Sequence, residues 1–114
     1  MMDPRESLTQ AYRDFNARRM DDVLARMSQD VVWANGWEGG YVRGHEGVRD
    51  YWTRQWAVLD PQVEPMAIQR DEAGRWVVEV HVVVRDGSGQ VVADAIVHHA
   101  YSIRGGLIER MDIE

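Results

Sequence analysis

Apolar positions recur every three to four residues at the start of the chain. Leu8, Ala11, Tyr12 and Phe15 form one stripe, while Arg5, Gln10, Arg13 and Asp14 occupy the opposite side. That spacing predicts an amphipathic helix over about the first fifteen residues. Asp3 is placed to cap it, Pro4 fits the first helical position, and Glu6 stands three residues after the cap. A shorter helix is expected from Asp21 or Asp22, with Val23, Leu24 and Met27 on its inner side. Val31–Trp33 reads as extended, and Gly36, Gly39 and Gly40 then interrupt the pattern. Two readings stand for that stretch: a strand with a bulge or hairpin, or a loop passing over a pocket. Helical spacing returns with Val48, Tyr51, Trp52, Trp56 and Leu59, and Asp60-Pro61 is expected to end that helix.

From Val63 onward the period changes to two. Strands are expected at about Val63–Arg70, Arg75–Arg85, Gln90–Ile103 and Leu107–Ile113. The segments between them, Asp71–Gly74, Asp86–Gly89 and Arg104–Gly106, are short and contain glycine. Such connections imply successive hairpins and an antiparallel meander. Helices first and strands afterwards spell an α+β fold, with the N-terminal helices packed on one face of a curved, mainly antiparallel sheet.

The two longest strands have unequal faces. Trp76, Val78, Val80, Val82 and Val84 make one face uniformly apolar, so it should meet the helices. On the next strand, Val91, Ala93, Ala95, Val97, His99, Tyr101 and Ile103 share the inner face. The outer faces are half apolar, through Val77, Val83, Val92 and Ile96. Large exposed apolar patches are rare on monomers, so a homodimer through the outer sheet face is expected. Valines scattered singly over the surface are the plainer alternative.

Composition narrows the partners. One domain spanning 1–114 is the expectation for a chain of 114 residues. No apolar run reaches the ~20 residues of a membrane helix, and no segment resembles a signal peptide. Without cysteine there is no disulfide framework or thiolate chemistry, and a cytoplasmic location is the default. A net charge of −6 argues against nucleic acid, whose binding rests on Lys and Arg at phosphates. No HExxH, P-loop, GxGxxG or GxSxG spacing is present, so neither a bound metal nor a cofactor is expected. The aromatic set is unusual: five Trp and four Tyr against one Phe. Trp and Tyr combine bulk with a polar handle, as the wall of a wet pocket requires, although they also serve as core filler.

The candidate chemistry gathers on few residues. His99 points inward beside Tyr101, where burial favours the neutral imidazole and a role as base or hydrogen-bond partner. A hydrogen-bonded core histidine is the structural alternative. Trp33, Asn35 and Trp37 alternate, which reads as an apolar slot with one carboxamide, or as a Trp-rich core edge with Asn35 making a turn. Trp52 and Trp56 stand one helical turn apart and either roof the same cavity or pack the core. His45 and Glu46 fit an exposed helix start. His81 and His98 fit an interface better than a pocket, with His81 left between the two.

The order of these segments, through "LTQAYRDFNARRMDDVLARMSQDVVW", "VRGHEGVRDYW" and "VVADAIVHHAYSIRGGLIERMDI", resembles the nuclear transport factor 2-like superfamily. Within it the chain is similar to the SnoaL-like branch, related to ketosteroid isomerase and scytalone dehydratase. The resemblance covers essentially the whole chain. It implies a cone-shaped α+β barrel, three helices closing a strongly curved sheet around a pocket, and dimerisation through the outer sheet face. It also implies proton transfers, dehydrations or ring closures on hydrophobic small molecules, typically without cofactors. Aligned on the first helix, the general-base aspartate of ketosteroid isomerase falls at Asn35, and an amide cannot abstract a proton. The oxyanion-hole tyrosine falls at Ala11, with Tyr12 adjacent but rotated away. The protonated aspartic acid of that relative falls at or next to His99.

Three functions therefore compete. The first is a cofactor-independent acid–base enzyme of isomerase, cyclase or dehydratase type acting on a neutral hydrophobic substrate. In it His99 is base or acid, Asn35 and Tyr101 are hydrogen-bond partners, and Trp33, Trp37, Trp52 and Trp56 hold the substrate. The second is a non-catalytic binding module, and the third a dimeric assembly module.

Overall fold

The Asp3 carboxylate accepts a hydrogen bond from the Arg5 amide at 2.8 Å, so helix α1 (Pro4–Asn16) starts where its cap and Pro4 dictate. The computed structural model describes residues 3–114; the first two residues of the expected domain lie outside that range. After α1 the chain turns through Arg18, whose φ of 63° is left-handed. The Arg18 guanidinium donates to the Phe15 and Pro61 carbonyls and pairs with Asp60, tying this turn to the third strand. Helix α2 (Met20–Leu24) is a single turn. Met27, expected on its inner face, instead opens strand β1 (Met27–Ala34), because the helix stops before a second turn can form.

Strand β1 folds back on β2 (Tyr41–Arg43), pairing Trp33 with Val42 and Ala34 with Tyr41. The hairpin reading of the glycine-interrupted stretch is therefore the one observed. Helix α3 (Gly44–Trp56) follows, then β3 (Leu59–Arg70), β4 (Trp76–Asp86), β5 (Val91–Arg104) and β6 (Leu107–Ile113). Strand β3 begins four residues before the expected Val63, and Pro61 lies inside it opposite Val84. Proline is admissible there because β3 is a sheet edge, paired only with β4.

The strand order is β2-β1-β6-β5-β4-β3. All neighbours are antiparallel except β1 and β6, which run parallel. Irregularities of register between Pro65 and Ala67, Val84 and Arg85, and Ser102 and Ile103 bend the strands. The sheet curves around the helices without closing, since β2 and β3 remain edges. Strand β6 pairs with His99–Arg104 only, so the first half of β5 runs on beyond it.

Leu8, Val31, Val48, Trp52, Val78, Val80 and Met111 are the largest fully buried side chains. Each such burial stabilises the fold by roughly 1.5–3 kcal/mol for a side chain of Val or Leu size. Asp14 is also buried and accepts from Gln10 and twice from Arg19. Burial opposes its charge, but the hydrogen bonds from Arg19 and Gln10 outweigh burial and hold the carboxyl below its usual range. These contacts fasten α1 to α2 and leave the opposite face of α1 free to meet the sheet.

Candidate ligand pocket

Between α1, α3 and the inner sheet face lies a cavity of about 340 Å³, within the usual range for small-molecule sites. Its aromatic wall is a chain of edge-on contacts. Phe15 meets Trp52 at 5.1 Å between ring centres, Trp52 meets Trp33 at 5.6 Å, and Trp33 meets Tyr101 at 6.0 Å. Val82 and Val84 of β4 and Ala93 and Ala95 of β5 also line the cavity. Alternation along these strands places them, as the inner-face pattern requires. Among the described residues, no Asp, Glu, Lys or Arg lines the cavity.

The polar end of the cavity is a three-residue cluster. The Tyr12 hydroxyl lies 2.8 Å from Nδ1 of His99 and 2.7 Å from the Tyr101 hydroxyl. His99 is 9% exposed. Burial, with a smaller contribution from His98, lowers its pKa to about 4, so the imidazole is neutral at physiological pH. Burial likewise raises both phenols, and the neighbouring Tyr101 raises Tyr12 further; for Tyr101 the hydrogen bond to Tyr12 partly opposes the rise. All three groups are thus uncharged hydrogen-bonding groups. Tyr51 and Gln55, one turn apart on α3, supply the remaining polar lining. Burial raises the Tyr51 phenol, opposed by the backbone groups of Trp37 and Gly36.

The sequence-derived site is partly assembled. His99, Tyr101, Trp33 and Trp52 line one cavity. Asn35 does not join them, although it is only 6% exposed. Its Oδ1 accepts from the amides of Trp37 at 3.0 Å and Glu38 at 2.7 Å, and its Nδ2 donates to Glu38 at 2.9 Å. The carboxamide is spent on the β1–β2 turn, the alternative reading of that residue. Trp37 is 40% exposed and outside the lining, because β1 ends at Ala34 and the alternation stops with it. Trp56 stacks on Trp52 at 5.6 Å beneath the Arg18 guanidinium, behind the wall rather than on it.

Tyr12 requires the opposite correction. It is not turned away: Ala11 and Tyr12 both face the cavity. Residues 8, 11, 12 and 15 of a helix span one broad stripe, and Tyr12 is long enough to cross to β5. The same helical-face argument identifies Tyr51 and Gln55, which the sequence reading passed over.

The other histidines lie elsewhere. His81 Nε2 is 2.7 Å from Asp94 and His98 Nε2 is 3.5 Å from Glu79, both pairs on the outer face. His45 Nε2 lies 2.9 Å from the Met27 carbonyl at the start of α3. Among the described residues, no three His, Asp or Glu side chains converge as a metal-binding set. No helix of the described residues is long and apolar enough to cross a membrane.

The fold is that of the nuclear transport factor 2-like proteins. An NTF2-like protein of Burkholderia pseudomallei superposes with a TM-score of 0.84 at 20% identity, covering 100% of this chain and 91% of that one. A Pseudomonas putida protein named as a polyketide cyclase gives a TM-score of 0.85 at 20% identity, covering 100% and 92%. A Mycobacterium tuberculosis protein in complex with estradiol-17β-hemisuccinate gives 0.78 at 18% identity, covering 92% and 87%. No curated protein sequence matches the chain. The model of the SnoaL-like domain matches residues 8–111, and the chain belongs to that family.

Proposed function

We propose that the protein binds a neutral, mainly apolar small molecule and performs cofactor-independent acid–base chemistry on it. A carbonyl or hydroxyl oxygen of the guest docks on Tyr101 and His99, which Tyr12 links, while its ring system lies against Trp33 and Trp52. The observation that carries this reading is the three-residue hydrogen-bonded cluster in a mainly apolar cavity without a charged lining residue among those described. His99 is the acid or base, and the phenols hold the oxygen on which charge develops. The solved relatives, one named for polyketide cyclisation and one holding a steroid hemisuccinate, support a guest with an apolar ring system.

A non-catalytic carrier is the second reading. It is favoured by the absence of a lining carboxylate among the described residues and by a His99 pKa of about 4, low for a base working near neutrality. Titrating tryptophan fluorescence with neutral aryl ketones and phenols, then analysing the recovered compounds, separates the two. Quenching with a changed product supports the enzyme, and quenching without change supports the carrier. Equal or tighter binding of the matching carboxylates overturns both, since burying an unpaired anion in this cavity is costly.

We infer as well that a second copy covers the outer sheet face. Val92 and Ile96 are 53% and 52% exposed there, and Val83, opposite Asp94 on the same face, lies between them.

A further inference from the structure

The hydrogens of the Tyr12–His99–Tyr101 cluster can be counted, and the count couples its two ends. Tyr12 contacts both partners but has one hydroxyl hydrogen, so it donates to one and accepts from the other. With the His99 proton on Nδ1, that N–H donates to Tyr12 and Tyr12 donates to Tyr101. The Tyr101 O–H is then left to donate into the pocket, and Nε2 presents a lone pair. With the proton on Nε2, every bond reverses: Tyr101 donates to Tyr12, and Tyr12 donates to Nδ1. Tyr101 then offers lone pairs and Nε2 an N–H. Among the described residues, neither His99 Nε2 nor the Tyr101 hydroxyl makes another hydrogen bond.

We propose that Tyr101, Tyr12 and His99 act as a tautomeric relay, moving a proton between two atoms of a bound neutral carbonyl compound without charging any side chain. The relay rests on the pocket reading above and names its substrate class: a ketone with an acidic C–H that reaches Nε2 while its oxygen meets Tyr101. In the forward step the C–H proton passes to Nε2, and the released electron pair forms the C=C of an enol. The carbonyl π pair takes the Tyr101 proton, Tyr101 takes that of Tyr12, and Tyr12 takes that of Nδ1. The guest becomes its enol, and His99 exchanges one neutral tautomer for the other. Returning the Nε2 proton to the carbon it left runs the relay back and resets the site, so the net result is keto–enol interconversion with exchange of that hydrogen. The surroundings favour this route. Burial penalises an imidazolium at His99 and a phenolate at either tyrosine, and no carboxylate lines the cavity to share the charge.

The test is the tautomer of ¹⁵N-labelled His99, read by long-range ¹⁵N–¹H correlation, with 2-acetonaphthone as probe. This ketone has an acceptor oxygen and no donor, and tryptophan quenching reports its binding. In the saturated wild type His99 is expected in the Nδ1–H form by about tenfold, the preference one hydrogen bond supplies. In Tyr12→Phe the tautomer ratio should be the same with and without probe. Tyr101→Phe, which cuts the relay at the guest end, should behave alike and covers the case in which the first variant does not fold. An Nε2–H form in the saturated wild type, or a probe-dependent ratio in either variant, overturns the relay and leaves the pocket reading standing. Absence of quenching overturns the pocket reading and the relay with it.

Discussion

Tyr12 and His99 are 87 positions apart in the chain, yet their hydrogen bond is 2.8 Å long and their rings stack with centres 6.0 Å apart. The contact docks α1 on β5, so the candidate site is also a fastening between helix and sheet. Tyr12→Phe leaves a buried imidazole nitrogen and the Tyr101 hydroxyl without their shared partner. It is expected to lower stability by about 1–3 kcal/mol, the cost of an unsatisfied buried polar group. The measurement is the urea midpoint, with an unchanged slope against denaturant showing that only stability has moved.

His99 links stability to pH. Its folded pKa of about 4 lies below the ordinary 6.5 it regains on unfolding. As pH falls between these values the unfolded chain takes up a proton that the native state refuses. Native stability should therefore decline across that window by about 3 kcal/mol in all, and this contribution should level off below it. His99→Gln should flatten the decline. Urea titrations at several pH values check it, and an unchanged decline in the variant would remove His99 as its source.

Gly36 lies where the β1–β2 turn meets the pocket. A Cβ there would stand 2.9 Å from Cδ1 of Ile113, and both residues line the cavity. The displaced atom is the free end of a flexible, exposed side chain, so Gly36→Val is expected to cost less than ~1.5 kcal/mol. Guest affinity should suffer more, falling about tenfold as the mouth narrows. Calorimetric titration with 2-acetonaphthone against wild type gives the comparison.

How far the sequence carries can be traced through particular residues. The start of α1 was legible because capping is local chemistry between Asp3, Pro4 and the Arg5 amide. The inner faces of β4 and β5 were legible because alternation leaves Val78, Val80 and His99 no other side to occupy. Pro61 misled: it halts a helix in sequence terms, yet an edge strand has no partner for the missing amide. The parallel pairing of β1 with β6 joins Trp33 to Met111 across most of the chain, and no local pattern encodes it. Asn35 and Trp37 lie outside the cavity lining for one reason. The strand ends at Ala34, and in the turn that follows alternation has no physical basis. Tyr12 is hard to place from sequence because a helix position one step from Ala11 suggests a different facing, although a long side chain there still reaches the sheet.

The outer face makes a separate claim. Light scattering at micromolar concentration should give twice the mass of a single chain, and Ile96→Arg should return a folded monomer. Ile96 lies beside His81 on β4 and is exposed, so the substitution disturbs no core contact. A wild-type monomer would contradict the dimer and leave the pocket untouched.

The most direct measurement locates the guest. Isotope-filtered NOE spectra of the protein saturated with 2-acetonaphthone should connect its methyl group, which sits beside the carbonyl, to the rings of His99 and Tyr101. Its naphthalene protons should connect to Trp33 and Trp52. Contacts confined to Trp37, or to Val92 and Ile96 on the outer face, would contradict the central claim that the Tyr12–His99–Tyr101 cluster receives the guest's oxygen.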